Sequence, residues 1–553
     1  MSSTKKLLSI TNLKKYFPIA KSSIFQRNQL YVRANEDITL DIYEGETLGV
    51  VGESGCGKST LGRVLLQLYS QTAGTTLYYG NTLDELVPSY VFDTLRNYAK
   101  YKKKLVHAIA HSEELEKRLQ EVGGEEKADF YLLQKLNLAR CEAKTQLDYI
   151  TKIFGGFYIV DEDGAGKAKL EQFYSQAKRR KALKTKLQDI EIRLEQLSSE
   201  QSIEKAQNPR KDKKREEKRK DRIAALSADK EALLTELDCI EQSISATQGE
   251  LEALRKKYSG NADFAKYEAM RDGGVDLSRL KYNEMRFLRK DLQIIFQDPY
   301  SSLNPRFTIG QIIEEGLLTH KFFRAGSQKM REYVVDTMEK CGLQEYMLHR
   351  YPHQFSGGQR QRISIARALA VKPRFIVCDE CVSALDVSIQ SQIINLLQEM
   401  KEKENLTYMF ISHDLSVVRY ISDRICVMYL GNIVELADAK TVFDDPRHPY
   451  TVALLSSIPT TDPESLNKER ILLEGNIPSP IRPPEGCKFH TRCYMACDKC
   501  KRVPPPLTEV SPGHFVACHF LEKKLDENGN YLFEMPKTEF KSNRGELGNK
   551  TKL

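Results

Sequence analysis

The sequence predicts an α/β fold with a largely parallel sheet, a large α-helical, coiled-coil-like insertion and a small cysteine-rich C-terminal extension. Three observations predict it. Short apolar runs alternate with helical stretches before residue 80 and again after residue 281. Between them, residues 81–280 thin out in glycine and proline and fill with Lys, Glu, Leu and Gln. Five of the 12 cysteines crowd between Cys487 and Cys518, amid proline-rich text.

The first part, residues 1–80, opens with LLSITNLKKYF, VRANEDITLDIY and ETLGVV, three apolar runs that read as strands. The third leads into GESGCGKST at residues 52–60, which fits the G-x-x-x-x-G-K-[ST] phosphate-loop pattern, and LGRVLLQLY follows as a helix. Gly52, Gly55 and Gly57 permit the tight path, so that backbone N–H groups and the helix N-terminus face phosphate oxygens. Ser54, Cys56 and Thr60 complete the cradle, Lys58 is placed for the β/γ-phosphates, and Ser59 is the expected Mg²⁺ ligand.

In the insertion, Leu183, Leu187, Ile190, Leu194 and Leu197 are spaced 4, 3, 4, 3. Leu226, Leu233, Leu237, Ile240, Ile244, Leu251, Leu254 and Tyr258 continue that spacing, with Lys230 and Thr247 in the remaining slots. A 3.5-residue repeat is a coiled-coil seam, which predicts a hairpin over 178–258; one helix of an ordinary bundle gives the same pattern. The basic run KAQNPRKDKKREEKRKDR, residues 205–222, falls near the hairpin tip. It reads as a solvated helix end or loop, with nucleic acid or anionic lipid as the alternative contact. GGFYIVDEDGAGKAK reads as a strand and turn; DEDGAGK has the spacing of neither a metal loop nor a second phosphate loop.

From 281 to 455, LQIIFQDP, PRFIVCDE, LTYMFISHD and RICVMYLGNIVELA read as buried strands. PRFIVCDE ends in Asp379 and Glu380, which a strand end would hold beside the phosphates. Asp379 suits Mg²⁺, and Glu380 suits polarisation of a water for attack on the γ-phosphate. At 356–359, SGGQ opens an amphipathic helix, a second anion-receiving helix N-terminus. One triphosphate does not need two cradles in one chain, so this one faces a nucleotide held by another chain.

SGGQ followed by QR and ARAL resembles the signature of the ABC ATPases, and the rest of that family's set follows. Gln297 resembles the Q-loop glutamine, which also reaches Mg²⁺. Ser356, Gly357, Gly358 and Gln359 match the signature, with Phe355 where leucine is commoner. SALD, ending at Asp386, resembles the D-loop, His413 the switch histidine, and Tyr16 the aromatic that stacks on adenine. The resemblance implies a head-to-tail pair of nucleotide-binding domains and makes Glu380, His413 and Gln297 catalytic. Cys381 stands where the family usually has proline.

Gln297 follows Lys58 by 239 positions, and the intervening helices suggest the DNA-tethering ABC ATPases as an alternative. In that branch, however, the coil follows the Q-loop and is much longer. QDPYSSLNPR, HPYTVALLSSIP and GCKFHTRC…VACHF instead resemble ATP-binding subunits of oligopeptide and dipeptide importers, the opening LKKYFPI favouring the F-type subunit. This resemblance covers residues 1–76 and 281–520. It implies a second, D-type ATPase subunit, two membrane permeases, an extracellular peptide-binding protein, no nucleic acid, and a peripheral position on the cytoplasmic face of the membrane. No apolar stretch approaches the ~20 residues of a membrane span, and MSSTKKLLSITNLKKYF reads as mature sequence.

Residues 456–525 resemble that family's C-terminal region, and 526–553 read as a polar tail. Cys487, Cys493, Cys500 and Cys518 match the spacing at which some relatives hold a [4Fe–4S] cluster. Zn²⁺ ranks second and a metal-free thiol cluster third; Cys497, His490, His514 and His519 widen the options.

Overall fold

A computed structural model of the chain describes residues 5–20, 29–124, 130–161, 164–207, 213–458 and 471–520. Residues 208–212 of the basic run and the 526–553 tail lie outside the described residues.

Two sheets form the ATPase part. β1 (Lys6–Pro18), β2 (Tyr31–Tyr43), β4 (Ala73–Thr82) and β5 (Gly274–Asp276) make an antiparallel sheet in the order β2-β1-β4-β5. β2 buries Ile38, Leu40 and Ile42 and exposes Asp37 and Thr39, the alternation of a strand with one core face.

The second sheet has eight strands. Its parallel part runs β9-β3-β8-β7-β6, from β3 (Thr47–Val51), β6 (Leu292–Ile295), β7 (Phe375–Asp379), β8 (Thr407–Ile411) and β9 (Arg424–Tyr429). TLGVV, FIVCD and TYMFI are buried at every position, as strands covered on both faces are. β10 (Asn432–Asp438), β12 (His514–Val516) and β11 (Thr508–Ser511) continue this sheet antiparallel beyond β9. The expected parallel sheet is therefore mixed, and the proline-rich extension supplies its edge.

The insertion begins and ends on neighbouring strands. The chain leaves at the end of β4 and returns on β5, which pairs with β4 at Tyr78 and Val275. Leu83 N–H donates to Gly273 carbonyl at 3.1 Å across that junction. Leu105, Ile150, Phe154, Tyr174 and Leu251 of the insertion belong to one buried cluster with Leu8, Ile10 and Leu13 of β1. Its root is thus part of the ATPase core.

Two long helices, Ala165–Gln207 and Lys213–Tyr258, run antiparallel. The ion pairs Lys169–Glu250 (2.5 Å), Arg179–Glu236 (2.5 Å) and Glu191–Lys230 (2.8 Å) step forward on one helix and back on the other. These exposed pairs contribute little to stability; the apolar contacts of Leu183, Ile240 and Ile244, joined by Leu233 and Leu237, contribute more. FYIV, expected as a strand, is a helical turn, Phe157–Val160. A four-residue apolar run suits either element, and Asp161 decides it by accepting from Gly166 and Lys167 N–H at the start of the next helix. Among the described residues no helix is long and apolar enough to cross a membrane.

The C-terminal extension is anchored by buried Glu435 of β10. Its carboxylate accepts from Arg447 N–H (2.8 Å) and His448 N–H (3.0 Å) and meets His514 Nε2 at 2.8 Å. His448 is buried, which pushes its imidazole down to about 4, and its Nδ1 accepts from Tyr450 N–H at 3.1 Å.

Two outcomes follow. Leu251→Ala should lower unfolding free energy by about 2–4 kcal/mol, and half-buried Leu226→Ala by much less, measured by denaturant titration. For His448, the unfolded chain takes up a proton below about pH 6.5 while the folded chain does not. Stability from this residue is therefore complete above that pH and falls as pH drops towards 4, by up to roughly 3 kcal/mol. His448→Gln should flatten that part of the pH–stability curve.

Candidate nucleotide site

The carboxyl ends of four adjacent parallel strands position the site. β3 feeds residues 52–60, β7 ends at Asp379, β8 leads to His413 and β6 to Gln297. The parallel register pairs Asp379 with Ile411, so the loops leave the sheet at one level.

In the phosphate loop, Gly52, Gly55 and Gly57 all have positive φ (146°, 79° and 101°). A Cβ at Gly57 would stand 2.1 Å from the Ala34 carbonyl oxygen, and one at Gly52 would stand 2.2 Å from that of Met428. Neither position admits a side chain. Gly57 caps the helix Lys58–Leu65. Lys58 is only 5 % exposed, its ammonium folded back onto the Gly52 (2.7 Å) and Glu53 (3.1 Å) carbonyls. Cys56 is buried beneath the loop, and burial raises its thiol pKa. Ser54 is exposed and Thr60 half-buried.

Ser59 Oγ donates to Asp379 Oδ1 at 2.5 Å, joining loop and strand end, and Arg63 reaches Asp379 Oδ2 at 3.4 Å. Asp379 and Ser59 thus form a two-oxygen set suited to Mg²⁺. Glu380 has φ 49°, a left-handed backbone, and its N–H donates to Ile411 carbonyl at 3.0 Å. That turn aims the carboxylate out of the sheet, where Gln297 Nε2 donates to it at 2.8 Å and His413 Nδ1 lies 3.7 Å away. Cys381 is buried behind it beside Cys378, whose thiol is pushed well up by contact with Cys381 and by burial. In this environment Cys381 serves as an apolar spacer.

Ser356 caps the helix Gly357–Ala370 with a reciprocal box: its Oγ accepts from Gln359 N–H at 3.4 Å, and Gln359 Oε1 accepts from Ser356 N–H at 3.1 Å. Ser356 and Gly357 stay exposed, while Gly358 packs so close to Ile389 that a Cβ would stand 2.5 Å from it. Phe355 fills the core beneath this helix, accounting for the aromatic where leucine is commoner. Asp386 is exposed at the start of the helix Val387–Glu404.

Two expectations need correction. Tyr16 is 6 % exposed: its hydroxyl donates to Glu36 at 2.8 Å and its ring lies under Arg33, so it offers no open stacking face. Phe17, on the opposite face of β1, is half-buried with its ring 5.4 Å from Tyr69. The four cysteines do not form the expected metal site either: among the described residues no group of three or more His, Cys, Asp or Glu is arranged to hold an ion. Cys500 instead faces Cys497, Sγ to Sγ 3.6 Å. Burial pushes the thiol of Cys493 up to about 12 and that of Cys518 to about 11.

Sequence reasoning also missed two groups on the loop. Glu53 N–H donates to Tyr450 Oη at 2.8 Å, and the Glu53 carboxylate is gripped by Arg492. No local signal marks pairs 397 and 439 positions apart.

This fold and this set of groups define a P-loop ATPase of the ABC class. The chain belongs to the ABC transporter family: the family model of that description matches residues 35–262 and 235–383, and that of the oligopeptide/dipeptide transporter C-terminal region matches 434–500. The oligopeptide transport ATP-binding protein AppF of Bacillus subtilis (strain 168) is 53% identical over 248 residues, 44% of this chain and 75% of that protein. Among solved structures, a post-hydrolysis dimer of the ATP-binding cassette MJ0796 with ADP and phosphate aligns at TM-score 0.39 and 15% identity, covering 78% of this chain and 99% of that one. CbiO1 of Clostridium perfringens aligns at TM-score 0.38 and 14% identity, covering 80% and 92%.

Gly57→Ala should weaken ATP binding roughly tenfold or more through backbone strain and the Ala34 clash. Gly55→Ala, whose Cβ meets nothing within 4 Å, should weaken it less. Titration with a fluorescent ATP analogue compares the two.

Proposed function

We propose that this chain is the ATP-hydrolysing subunit of a membrane importer for oligopeptides. In this reading it sits peripherally on the cytoplasmic face, pairs with a second, D-type nucleotide-binding subunit, and drives two permeases fed by an extracellular peptide-binding protein. The observation that carries the ATPase part is the convergence of Ser59 on Asp379 and of Gln297 and His413 on Glu380 at one sheet edge. Support for the peptide class comes from the match of residues 434–500 to the oligopeptide/dipeptide transporter region and from the likeness to AppF. The DNA-tethering alternative is not favoured: the chain resembles an oligopeptide transport ATP-binding protein.

In this mechanism the loop N–H groups and Lys58 take the phosphates, Lys58 exchanging its two carbonyls for phosphate oxygens. Ser59 and Asp379, with Gln297, would hold Mg²⁺, which would supply positive charge against the phosphate oxygens. Glu380 orients and polarises the attacking water, and Gln297 fixes that carboxylate. His413, its side chain 60 % exposed, swings to the γ-phosphate. The exposed Ser356–Gln359 helix start and Asp386 complete the nucleotide site of the facing subunit. For the adenine, half-buried Phe17 is better placed than Tyr16. The antiparallel helices of the insertion fit a coiled-coil hairpin through Leu183, Ile240 and Ile244.

Glu380→Gln keeps the shape and removes the base. Turnover by the assembled transporter should fall by roughly 100-fold or more while ATP stays bound; near-normal turnover would assign the chemistry elsewhere.

A further inference from the structure

The phosphate loop is not held by the ATPase core alone. Arg492 belongs to the cysteine-rich extension, in CKFHTRC, yet its guanidinium lies on a loop residue. Nη1 is 2.7 Å from Glu53 Oε2 and Nη2 is 3.0 Å from Oε1, the fork-on-fork geometry of the strongest ion pairs. The Arg492 side chain is 7 % exposed and that of Glu53 24 %. The pair is therefore weakly screened, unlike the exposed pairs of the insertion.

The elements behind Arg492 are packed aromatic side chains. Phe489, three residues earlier, is buried against Tyr429 of β9 and Tyr450, with ring centroids at 5.2 and 5.3 Å. Tyr450 Oη accepts the Glu53 N–H, so backbone and side chain of Glu53 are both held from this side. A second bridge lies nearby, where Lys488 donates to Glu36 at 2.8 Å and to Leu430 carbonyl at 3.0 Å. Burial disfavours the Glu36 charge, but Lys488 and then Arg33 outweigh it and hold the carboxyl down to about 2.

Glu53 is a negative charge in a loop whose task is to receive a polyanion, and its own carbonyl is one of the two that hold Lys58. An uncompensated carboxylate there would repel the triphosphate; a paired one would not. We propose that Arg492 is a positioning residue of the ATP site: by pairing bidentately with Glu53 it neutralises that carboxylate and fixes the phosphate loop, making the C-terminal extension a working part of nucleotide binding. The proposal rests on the ATPase assignment but not on the transported cargo.

The test uses the full chain, with ATP affinity read by titration and turnover read in the assembled transporter. Arg492→Ala should raise the KM for ATP about tenfold, the scale of a lost charged hydrogen-bond pair, with kcat within about twofold. Adding Glu53→Gln to Arg492→Ala should recover most of the lost affinity, because the stranded charge is gone. Arg492→Lys, which keeps the charge but not the fork, should fall between. If Arg492→Ala proves poorly folded by thermal melting, Arg492→Lys alone and with Glu53→Gln carries the same comparison. Failure of Glu53→Gln to restore affinity would overturn the proposal, as would a loss confined to kcat. A loss of turnover in Glu380→Gln with no effect of Arg492 variants would leave the ATPase assignment standing and remove only this inference.

Discussion

The whole site depends on the register of β3, β8 and β7. β8 pairs in parallel with both β3 and β7, with Ile411 beside Val50 and Asp379. That register brings Ser59 within 2.5 Å of Asp379 although 320 positions separate them. A slip by one residue would turn every side chain to the opposite face and separate the loop from its carboxylate. The parallel ladders of β8 with β3 and with β7 hold that register. Glu380 then needs its left-handed φ to leave the strand line and meet Gln297 and His413.

The insertion respects this constraint. It leaves and returns on the neighbouring strands β4 and β5 of the other sheet. Its first long helix is not isolated: Lys321 lies 3.3 Å from Asp189, and Lys329 also pairs with Glu195, exposed contacts to the region around the helices Ile309–Thr319 and Gln328–Lys340. The extension, by contrast, joins the catalytic sheet through β12 and reaches the phosphate loop through Arg492.

Much of this was legible in the sequence because chemistry fixes short patterns. GESGCGKST, the acids ending PRFIVCDE, and ISHD each carry their meaning within a few residues, and their strands are continuous apolar runs. What was not legible depends on parity or long-range pairing. Tyr16 and Phe17 are adjacent aromatics on opposite faces, and the irregular β1–β2 register hides which one opens outward. The Glu53–Arg492 pair and the antiparallel edge β10-β12-β11 join segments that sequence spacing cannot connect. Four cysteines at a suggestive spacing do not resolve into an ion site among the described residues, because spacing sets separation along the chain and not the direction of a thiol.

On the proposed function, this edge is one half of a two-chain motor coupled to membrane subunits. The most direct measurement is the stoichiometry of the complex recovered with the affinity-tagged chain from detergent-solubilised membranes of its own cells. The expected result is a second ATP-binding chain and two membrane-spanning chains in equal amounts, with ATP turnover by the complex. Recovery of the chain alone, or with nucleic acid in place of membrane subunits, would contradict it.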